Sequence, residues 1–365
     1  MIPMVNLGRE YSQLKEKIDK VLGEVLEDTR FILGPNVAAL EKEVAALHDL
    51  PDAVAVGNGT DALRLALRAC GIGPGDEVLT TPFTFFATVE VIVELGAVPV
   101  FVDVNAETFA IDPDLIEERI TDRTKAIIPV HLFGHPAQMD VIMTLARRHD
   151  LKVIEDCAQA FGATYNNQWV GSFGHCGCYS FYPSKILGCY GDGGMVVTKS
   201  ADTAEQIRML RNHGSRAPYE HSTVGYNSRL DEMQAAILRV KLKCIDEMID
   251  QRRKLSRLYC EHISSKHIIL PQEAPHCKHV YNQFTVRCER RDAIVERLKE
   301  HRIASALYYP IPMHRQEIFH GTPIAETRLP VSENLSQEVV SLPIFPELTE
   351  EEVITVSQVV NQAVG

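Results

Sequence analysis

Seven short runs rich in apolar and β-branched residues alternate with helix-like segments in the first half of the chain. The runs lie at residues 53–56, 77–80, 99–104, 125–130, 152–156, 177–182 and 194–198. Strands that alternate with helices form mostly parallel sheets, because each connecting helix packs back onto a face of the sheet. The sequence therefore predicts an α/β fold with a mostly parallel seven-stranded sheet and helices on both faces.

The pattern changes after about residue 245. A long charged helix is followed by a strand-like run at 280–288, a helix at 291–302 and a last helix from Thr349. A strand and helices beyond a long connecting helix are typical of a separate α+β unit. We therefore expect a large domain at 1–245 and a smaller C-terminal α+β domain at 246–365.

Charge and hydropathy restrict the class of protein. The formal net charge is −12 and the pI is near 5.6. Both values disfavour a partner such as nucleic acid or an acidic membrane, because these partners require a basic surface. The amino terminus, MIPMVNLGREYSQLKEKIDK, has no apolar signal-peptide core, and no later stretch approaches the ~20 apolar residues of a membrane span. These features predict a cytoplasmic protein that acts on a small molecule.

Cysteine usage points away from disulfides and from metal. The nine cysteines are an odd number and are scattered through apolar segments, which favours buried, reduced thiols. The two densest clusters are HCGC at 175–178 and HCKH at 276–279. Neither cluster has the two spaced ligand pairs of a structural zinc site. We expect no metal in this protein.

A glycine-containing turn follows the first predicted strand. Gly57, Asn58, Gly59 and Thr60 lead into a helix that has apolar residues at i, i+3, i+4 and i+7. Glycine lets the backbone approach a ligand there, and the unpaired N–H groups of the first helical turn can bind an anion such as phosphate. An ordinary capped turn between a strand and a helix is the alternative.

An acidic residue ends the strand KVIED. Asp156 lies at the carboxyl end of this predicted parallel strand, and Gln159 follows three residues later. Open α/β sheets bind their ligands at this edge. A carboxylate here can hold a proton on an aromatic ring nitrogen, whereas the alternative is a simple helix N-cap.

Lys185 follows the strand-like run at 177–182 and precedes a glycine cluster, GDGG. A lysine is most often a solvated surface residue. A partly desolvated lysine beside a phosphate-binding turn and an acidic partner for a ring nitrogen is, however, the arrangement that forms a Schiff base with pyridoxal phosphate. Taken together, these residues predict a pyridoxal 5'-phosphate site at the carboxyl edge of the sheet.

Seven segments resemble one family in their order and approximate spacing. The chain is similar throughout to the DegT/DnrJ/EryC1/StrS family of sugar aminotransferases, which are fold-type I pyridoxal-phosphate enzymes. The segments are NGTDAL, TTPFTFFATVEVI, VIEDCAQAFGA, SFYPSKILGCYGDGG, NHG, GYNSRLDEMQAAIL and YYPIPMHRQ. The resemblance implies a pyridoxal-phosphate aminotransferase with L-glutamate as amino donor.

The resemblance also implies roles for individual residues. Lys185 is implied to be the catalytic lysine that bonds to the cofactor, with Asp156 on the ring nitrogen and Gln159 on the ring hydroxyl. The remaining cofactor contacts are implied to be Gly59, Thr60 and Ser180 on the phosphate, Phe85 on the ring face, and Asn227 from a partner subunit. A homodimer with shared active sites follows from the role of Asn227. The implied substrate contacts are Arg229, Tyr309 and His314.

Simpler roles stay open for four of these residues. Phe85 and Tyr309 are alternatively core aromatics. Arg229 is alternatively an ion-pair partner of Asp231 or Glu232. His314 is alternatively a surface histidine.

The resemblance narrows the substrate to a nucleotide-linked keto sugar. Within the family, the chain resembles most the enzymes that aminate carbon 3 of UDP-2-acetamido-3-keto-glucuronic acid, which implies a role in polysaccharide or O-antigen biosynthesis. His314 and Arg315 depart from the pair expected in some of that group. A TDP-linked 3-keto-6-deoxy sugar and a 4-keto sugar are the alternative substrates. A non-catalytic protein that binds the cofactor or a nucleotide sugar is the alternative of another class.

Overall fold

Helices and short strands follow one another along the whole chain in the computed structural model, which describes residues 1–365. The α-helices are α1 Leu7–Asp28, α2 Pro35–Leu47, α3 Gly59–Ala69, α4 Ala87–Glu94, α5 Met139–Arg148, α6 Ala201–Arg211, α7 Glu232–Leu242, α8 Ile245–His262, α9 Arg291–Glu300, α10 Pro330–Glu338 and α11 Glu350–Val364. The strands are β1 Asp52–Val56, β2 Glu77–Thr80, β3 Val98–Phe101, β4 Thr124–Ile128, β5 Lys152–Asp156, β6 Thr164–Tyr165, β7 Gln168–Trp169, β8 Cys176–Ser180, β9 Gly194–Thr198, β10 Ser215–Ala217, β11 Glu220–His221, β12 Cys277–Lys278, β13 Phe284–Arg287 and β14 Val339–Leu342.

The central sheet has the seven predicted strands, in the order β1-β9-β8-β5-β4-β2-β3. Strands β8, β5, β4, β2 and β3 pair in parallel, and β9 runs antiparallel to both of its neighbours. The prediction of a mostly parallel α/β sheet is therefore confirmed. The carboxyl ends of β4, β5 and β8 lie side by side, which brings the segments after these strands together.

Three of the predicted strands are shorter in the structure than in the sequence-based prediction. They end at Phe101, Ile128 and Ser180. Pro129 has no N–H to continue the ladder after β4. Beyond β3, the Asp103 carboxylate instead accepts the backbone N–H groups of Val331 and Ser332. After β8 the chain turns toward the cavity described below.

Both faces of the sheet are covered by helices. In β1, the side chains of Ala53 and Ala55 pack into one hydrophobic core, and those of Val54 and Val56 pack into the other. The first core also contains residues of α2 and α7, and the second contains residues of α3 and α6. Alternate residues of a strand point to opposite faces, so both faces of β1 are buried.

The C-terminal part of the chain has a hydrophobic core of its own. Residues of α8, α9, α11, β13 and β14 form this core, and α8 begins at Ile245. Two β-type pairings join this part to the rest of the chain, one between β12 and β6 and one between Ile2 and Ile303, together with several single backbone hydrogen bonds. This separate core supports the predicted boundary between two domains, 1–245 and 246–365. The boundary itself stays a proposal.

None of the helices is both long and apolar enough to cross a bilayer. The longest helix, α1, has 22 residues and carries charged side chains along its length.

Candidate active site

A cavity of about 660 Å³ lies at the carboxyl edge of the sheet. Its walls come from the N-terminus of α3, the turn before α4, the ends of β5 and β8, and the segment 307–309. Eight of the residues predicted from the sequence line this cavity: Gly59, Thr60, Phe85, Asp156, Gln159, Ser180, Lys185 and Tyr309. Residues up to 250 positions apart in the chain thus meet at the edge where open α/β sheets bind their ligands.

Lys185 is half-buried in the turn after β8. Its backbone N–H donates to Tyr182 O over 2.9 Å, which tightens the turn. Burial lowers the pKa of its amine to about 8, against the opposing attraction of the Asp156 carboxylate. A large fraction of the Lys185 amine is therefore neutral near pH 8, the form in which an amine acts as a nucleophile or a base.

Asp156 is 5% exposed at the end of β5. Its Oδ2 accepts a hydrogen bond of 2.8 Å from the Thr88 hydroxyl, and its Oδ1 accepts one of 3.1 Å from Ala158 N. Burial raises the pKa of the Asp156 carboxyl, and these two donors and the charge of Lys185 oppose that rise. The carboxylate is thus oriented toward the cavity and can pair with a protonated ring nitrogen.

The N-terminus of α3 lies directly against Ser180. A Cβ on Gly59 would be 2.6 Å from Ser180 Cβ, so only glycine fits at this position. The Asn58 side chain accepts the backbone N–H of Asp61, whereas the N–H groups of Gly59 and Thr60 have no acceptor within the chain. Free N–H groups at a helix N-terminus, next to a hydroxyl, form a site for a phosphate group.

A hydrogen bond joins Gln159 and Tyr309, which both line the cavity. Gln159 Oε1 accepts a 2.7 Å hydrogen bond from Phe133 N, and its Nε2 donates to the Tyr309 hydroxyl over 3.1 Å. Phe85 is 60% exposed, and its ring lies 6.4 Å from that of Tyr309 between centroids. Phe85 is therefore not a core aromatic. Tyr309 has both predicted features, because its ring packs against Phe83 and also lines the cavity.

Several polar residues of the cavity were not predicted from the sequence. They are Thr84, Thr88, Tyr182, Ser184, Asp192, Gln283 and Tyr308. Thr84 lies three residues before α4, and Thr88, four positions further on, lies in the first turn of that helix. That spacing was visible in the sequence, but their proximity to Asp156 was not.

Three predicted residues do not line the cavity of their own chain. Asn227 is exposed, and its backbone pairs with that of Asn212. Arg229 Nη1 donates to Asn212 Oδ1 over 3.1 Å and forms no ion pair with Asp231 or Glu232, so that alternative is wrong. The physical reason is that Glu232 accepts the backbone N–H groups at the start of α2 instead.

His314 is fully buried, so the alternative of a surface histidine is also wrong. Its Nε2 lies 2.9 Å from Glu333 Oε1, and its ring faces that of Phe101. Burial lowers the pKa of the imidazole. His314 is not among the residues that line the cavity, so the structure does not support the implied contact with the substrate.

A buried group with potential metal ligands lies behind Asp156. His131, Glu155 and Cys157 bring one ligand atom each within 4.8 Å of the others. The Glu155 carboxylate accepts backbone N–H groups of Gly171, Phe173 and Gly174 and lies 3.1 Å from His131 Nε2. His131 Nδ1 accepts Ala137 N, so its Nε2 carries the proton and donates to Glu155. Hydrogen bonds occupy the His131 and Glu155 atoms, which makes the group structural.

Comparison with known proteins gives consistent matches over the whole chain. The model of the DegT/DnrJ/EryC1/StrS aminotransferase family matches residues 12–361. The sequence is 50% identical over 361 residues to the UDP-N-acetyl-3-dehydro-alpha-D-glucosamine 3-aminotransferase of Acidithiobacillus ferrooxidans, covering 99% of this chain and 97% of the relative. It is 49% identical over 354 residues to the pleiotropic regulatory protein of Geobacillus stearothermophilus, covering 96% and 95%. The crystal structure of DesV from S. venezuelae superposes with a TM-score of 0.96 at 43% identity, covering 99% of this chain and 98% of that chain.

Proposed function

The chain belongs to the DegT/DnrJ/EryC1/StrS aminotransferase family, and from this we propose that it transfers an amino group from L-glutamate to carbon 3 of a UDP-linked 2-acetamido-3-keto sugar. Its fold is that of the fold-type I enzymes, and its cofactor is pyridoxal 5'-phosphate. The observation that carries the proposal is the half-buried Lys185 amine, with its pKa near 8, in one cavity with Asp156.

The residues present fit this cofactor. The free N–H groups of Gly59 and Thr60, with the Ser180 hydroxyl, would hold the phosphate. Asp156 would pair with the ring nitrogen, and Lys185 would bond to the cofactor. Gln159 would contact the ring hydroxyl, and Phe85 would cover the ring. When bound, the cofactor withdraws electrons from the carbon that loses or gains a proton during amino transfer.

The residues of the chain then have separate tasks. The Lys185 amine would act as a base and as an acid held within the cavity, and its pKa near 8 suits both directions of proton transfer at neutral pH. The ionised Asp156 carboxylate would accept the ring N–H and so favour the positively charged form of that nitrogen. The nearly buried position of Asp156 strengthens this pairing, because water screens it little.

The group at carbon 6 separates the two leading sugars. The resemblance implies a uronic acid, which has a carboxylate there, whereas the relative from Acidithiobacillus is named for a glucosamine, which has a hydroxymethyl group. Lys185 is the one basic side chain among the residues that line the cavity. The 50% identity to the Acidithiobacillus relative over 99% of this chain leads us to place the UDP-linked 3-keto glucosamine first and the uronic acid second.

The visible absorption spectrum of the purified protein tests this function. We expect a band from the lysine-bound cofactor that bleaches with L-glutamate and returns with UDP-linked 3-keto N-acetylglucosamine. Return only with the uronic acid, the TDP-linked 3-keto-6-deoxy sugar or a 4-keto sugar keeps the aminotransferase and changes the substrate. Absence of the band after addition of pyridoxal phosphate contradicts the proposal.

A homodimer with shared active sites is part of the proposal. Asn227 is exposed and lies outside the cavity of its own chain, which is consistent with a contact to a partner's cofactor phosphate. Exposed apolar residues, Phe31 at 43% and Ile32 at 46%, lie next to the same region, because Ile32 pairs with Asp231. These features support an interface between two copies.

Mixing two inactive variants tests the shared site. If Lys185→Ala and Asn227→Ala are each inactive, a mixed dimer of the two has one intact site, and subunit exchange should restore about a quarter of the wild-type activity. A shared site is excluded if mixing restores nothing although mass spectrometry shows mixed dimers.

The second candidate function is that of a non-catalytic protein that binds the cofactor or a nucleotide sugar without turnover. The name of the Geobacillus relative, a regulatory protein, favours keeping this candidate. The Lys185→Ala variant separates the two, with the exposed Lys243→Ala as control. Loss of both the absorption band and turnover supports an aminotransferase, whereas a wild-type protein that binds the sugar but never turns it over supports a binding protein. The cytoplasmic location and the role in polysaccharide or O-antigen biosynthesis stay predictions.

A further inference from the structure

Two buried threonines form a hydrogen-bonded chain that ends on Asp156. The hydroxyl oxygens of Thr84 and Thr88 lie 3.0 Å apart, and Thr88 Oγ1 donates to Asp156 Oδ2 over 2.8 Å. The exposed fractions are 1% for Thr84 and 0% for Thr88. Both residues line the cavity, yet the proposed amino transfer assigns neither a task.

The direction of both hydrogen bonds depends on the charge of Asp156. An ionised carboxylate only accepts hydrogen bonds, so the one hydroxyl proton of Thr88 must point at Asp156. Thr84 must then donate its own proton to Thr88. A chain of donors aligned in one direction is cooperative, because each bond polarises the next. The chain therefore stabilises the ionised form of Asp156 more than its protonated form.

Asp156 needs such stabilisation because burial opposes its charge. The N–H of Ala158 is the other hydrogen-bond donor to its side chain. The titratable groups that face Asp156 or influence it from neighbouring elements are Lys185, His131, Glu155, Cys157, Cys178 and Tyr309. Of these, Lys185 makes the largest favourable charge contribution to the Asp156 carboxylate, and that amine becomes neutral near pH 8 and would bond to the cofactor. The two threonine hydroxyls, in contrast, stay beside Asp156 whether the Lys185 amine is charged, neutral or bonded.

We propose that Thr88, supported by Thr84, is a positioning residue that holds the Asp156 carboxylate ionised and aimed at the ring nitrogen of the cofactor. The inference rests on the proposed function, since it concerns the same site. Without the Thr88 hydroxyl, Asp156 takes up a proton at a higher pH, and the ring nitrogen then loses its charged partner. The acid limit of the working pH range should therefore move upward.

Valine and serine substitutions test this role in the holoenzyme. Thr88→Val keeps the shape and removes the hydroxyl, whereas Thr88→Ser keeps the hydroxyl. Thr285→Val is a matched control, because Thr285 and Ser341 form a buried hydroxyl pair of 2.8 Å in the C-terminal core. The readouts are the pH titration of the visible cofactor band, the affinity of the apoprotein for pyridoxal phosphate, the pH profile of kcat/KM and the urea midpoint.

We call the pH at which the cofactor band and kcat/KM fall to half on the acid side the acid limb. In Thr88→Val the acid limb should move upward by about one pH unit, the size expected for one hydrogen bond to a charged group. Cofactor affinity should fall, and Thr88→Ser should restore both properties. Thr84→Val should shift the acid limb in the same direction by a smaller amount. If Thr88→Val does not fold, the Thr84→Val protein is used to test the inference. Thr285→Val should lower the urea midpoint without moving the limb.

Two results would overturn the inference. One is a Thr88→Val protein whose acid limb is unchanged while its urea midpoint falls as in Thr285→Val. The other is a Thr88→Ser protein that is as impaired as Thr88→Val. Failure of the proposed function has a different outcome, because the wild-type protein then shows no cofactor band or a band that L-glutamate does not bleach.

Discussion

Lys241 Nζ lies 2.6 Å from Glu10 Oε1, and the two side chains are only 1% and 9% exposed. The same ammonium donates to Gly188 O over 2.7 Å and lies 4.4 Å from the centroid of the Tyr190 ring. Gly188 is three residues beyond Lys185 in the chain. This contact therefore ties α1 and α7 to the loop that carries the proposed catalytic lysine.

Lys241→Met should destabilise the protein by about 3 kcal/mol, because it leaves the Glu10 carboxylate buried without its partner. The urea midpoint measures this effect. The exposed pair of Lys15 and Asp19 is the control, and Lys15→Met should change the midpoint much less. The double variant Lys241→Met with Glu10→Gln should recover part of the loss. Equal effects of Lys241→Met and Lys15→Met would contradict the prediction.

The rate at which the apoprotein bonds to pyridoxal phosphate should rise with pH and level off above about 8. Only the neutral Lys185 amine attacks the aldehyde, and burial lowers its pKa to about 8. Below that pH the rate should fall roughly tenfold per pH unit, as the neutral fraction does. Stopped-flow absorption measures the rate, and pyridoxine phosphate, which has no aldehyde, controls for simple binding. A midpoint near the ordinary lysine value of 10.5 would show that the amine is not desolvated.

Gly59→Ala should weaken the binding of pyridoxal phosphate. The new Cβ would lie 2.6 Å from Ser180 Cβ and 3.1 Å from Ser180 Cα, so α3 must move away from the phosphate site. Loss of one hydrogen bond to a charged group costs about 1.5–3 kcal/mol, or roughly tenfold or more in affinity. Titration of the apoprotein with the cofactor measures the change. Gly73→Ala is the control, since its Cβ would meet no atom within 4 Å, and equal affinities would refute the steric argument.

The protein should lose stability as the pH falls below about 6.5, partly through His48. This side chain is 4% exposed, and burial lowers its pKa to about 4 from the ordinary 6.5. Between these values the unfolded chain binds a proton that the folded chain does not bind. Stability is therefore fully present above the unfolded value and decreases toward pH 4, by about 3 kcal/mol at about 1.36 kcal/mol per pH unit.

Urea midpoints between pH 4 and 7 measure the acid sensitivity of His48. His48→Gln should lower the midpoint at pH 7 and flatten its dependence on pH. Part of the slope should remain, because burial also lowers the pKa values of His135 and His279. A slope that is identical in the variant and the wild type would assign the acid sensitivity to other groups.

Local sequence patterns determined the architecture and the centre of the site. The alternation of β-branched runs and helical segments is decided by short-range propensity and by the burial of both sheet faces, so the seven strands were predictable. Asp156 ends β5 and Lys185 lies in the turn after β8, and the carboxyl ends of these two neighbouring strands share one edge of the sheet, which brings the two residues together. Gly59 was predictable for a similar reason, because it opens the helix after β1.

Long-range packing decided the remaining features. Thr88 reaches Asp156 across 68 positions of the chain, and no local pattern indicates that contact. His314 is buried against Glu333, and Arg229 contacts Asn212 instead of its neighbours in sequence, because loop side chains take the partners that packing places beside them. The lowered pKa of Lys185 also belongs to the tertiary structure, since desolvation depends on every element that encloses the amine. The sequence by itself thus determined which residues lie at the edge of the sheet, and only the tertiary structure decided which of them touch, because contact and burial are set by groups far apart in the chain.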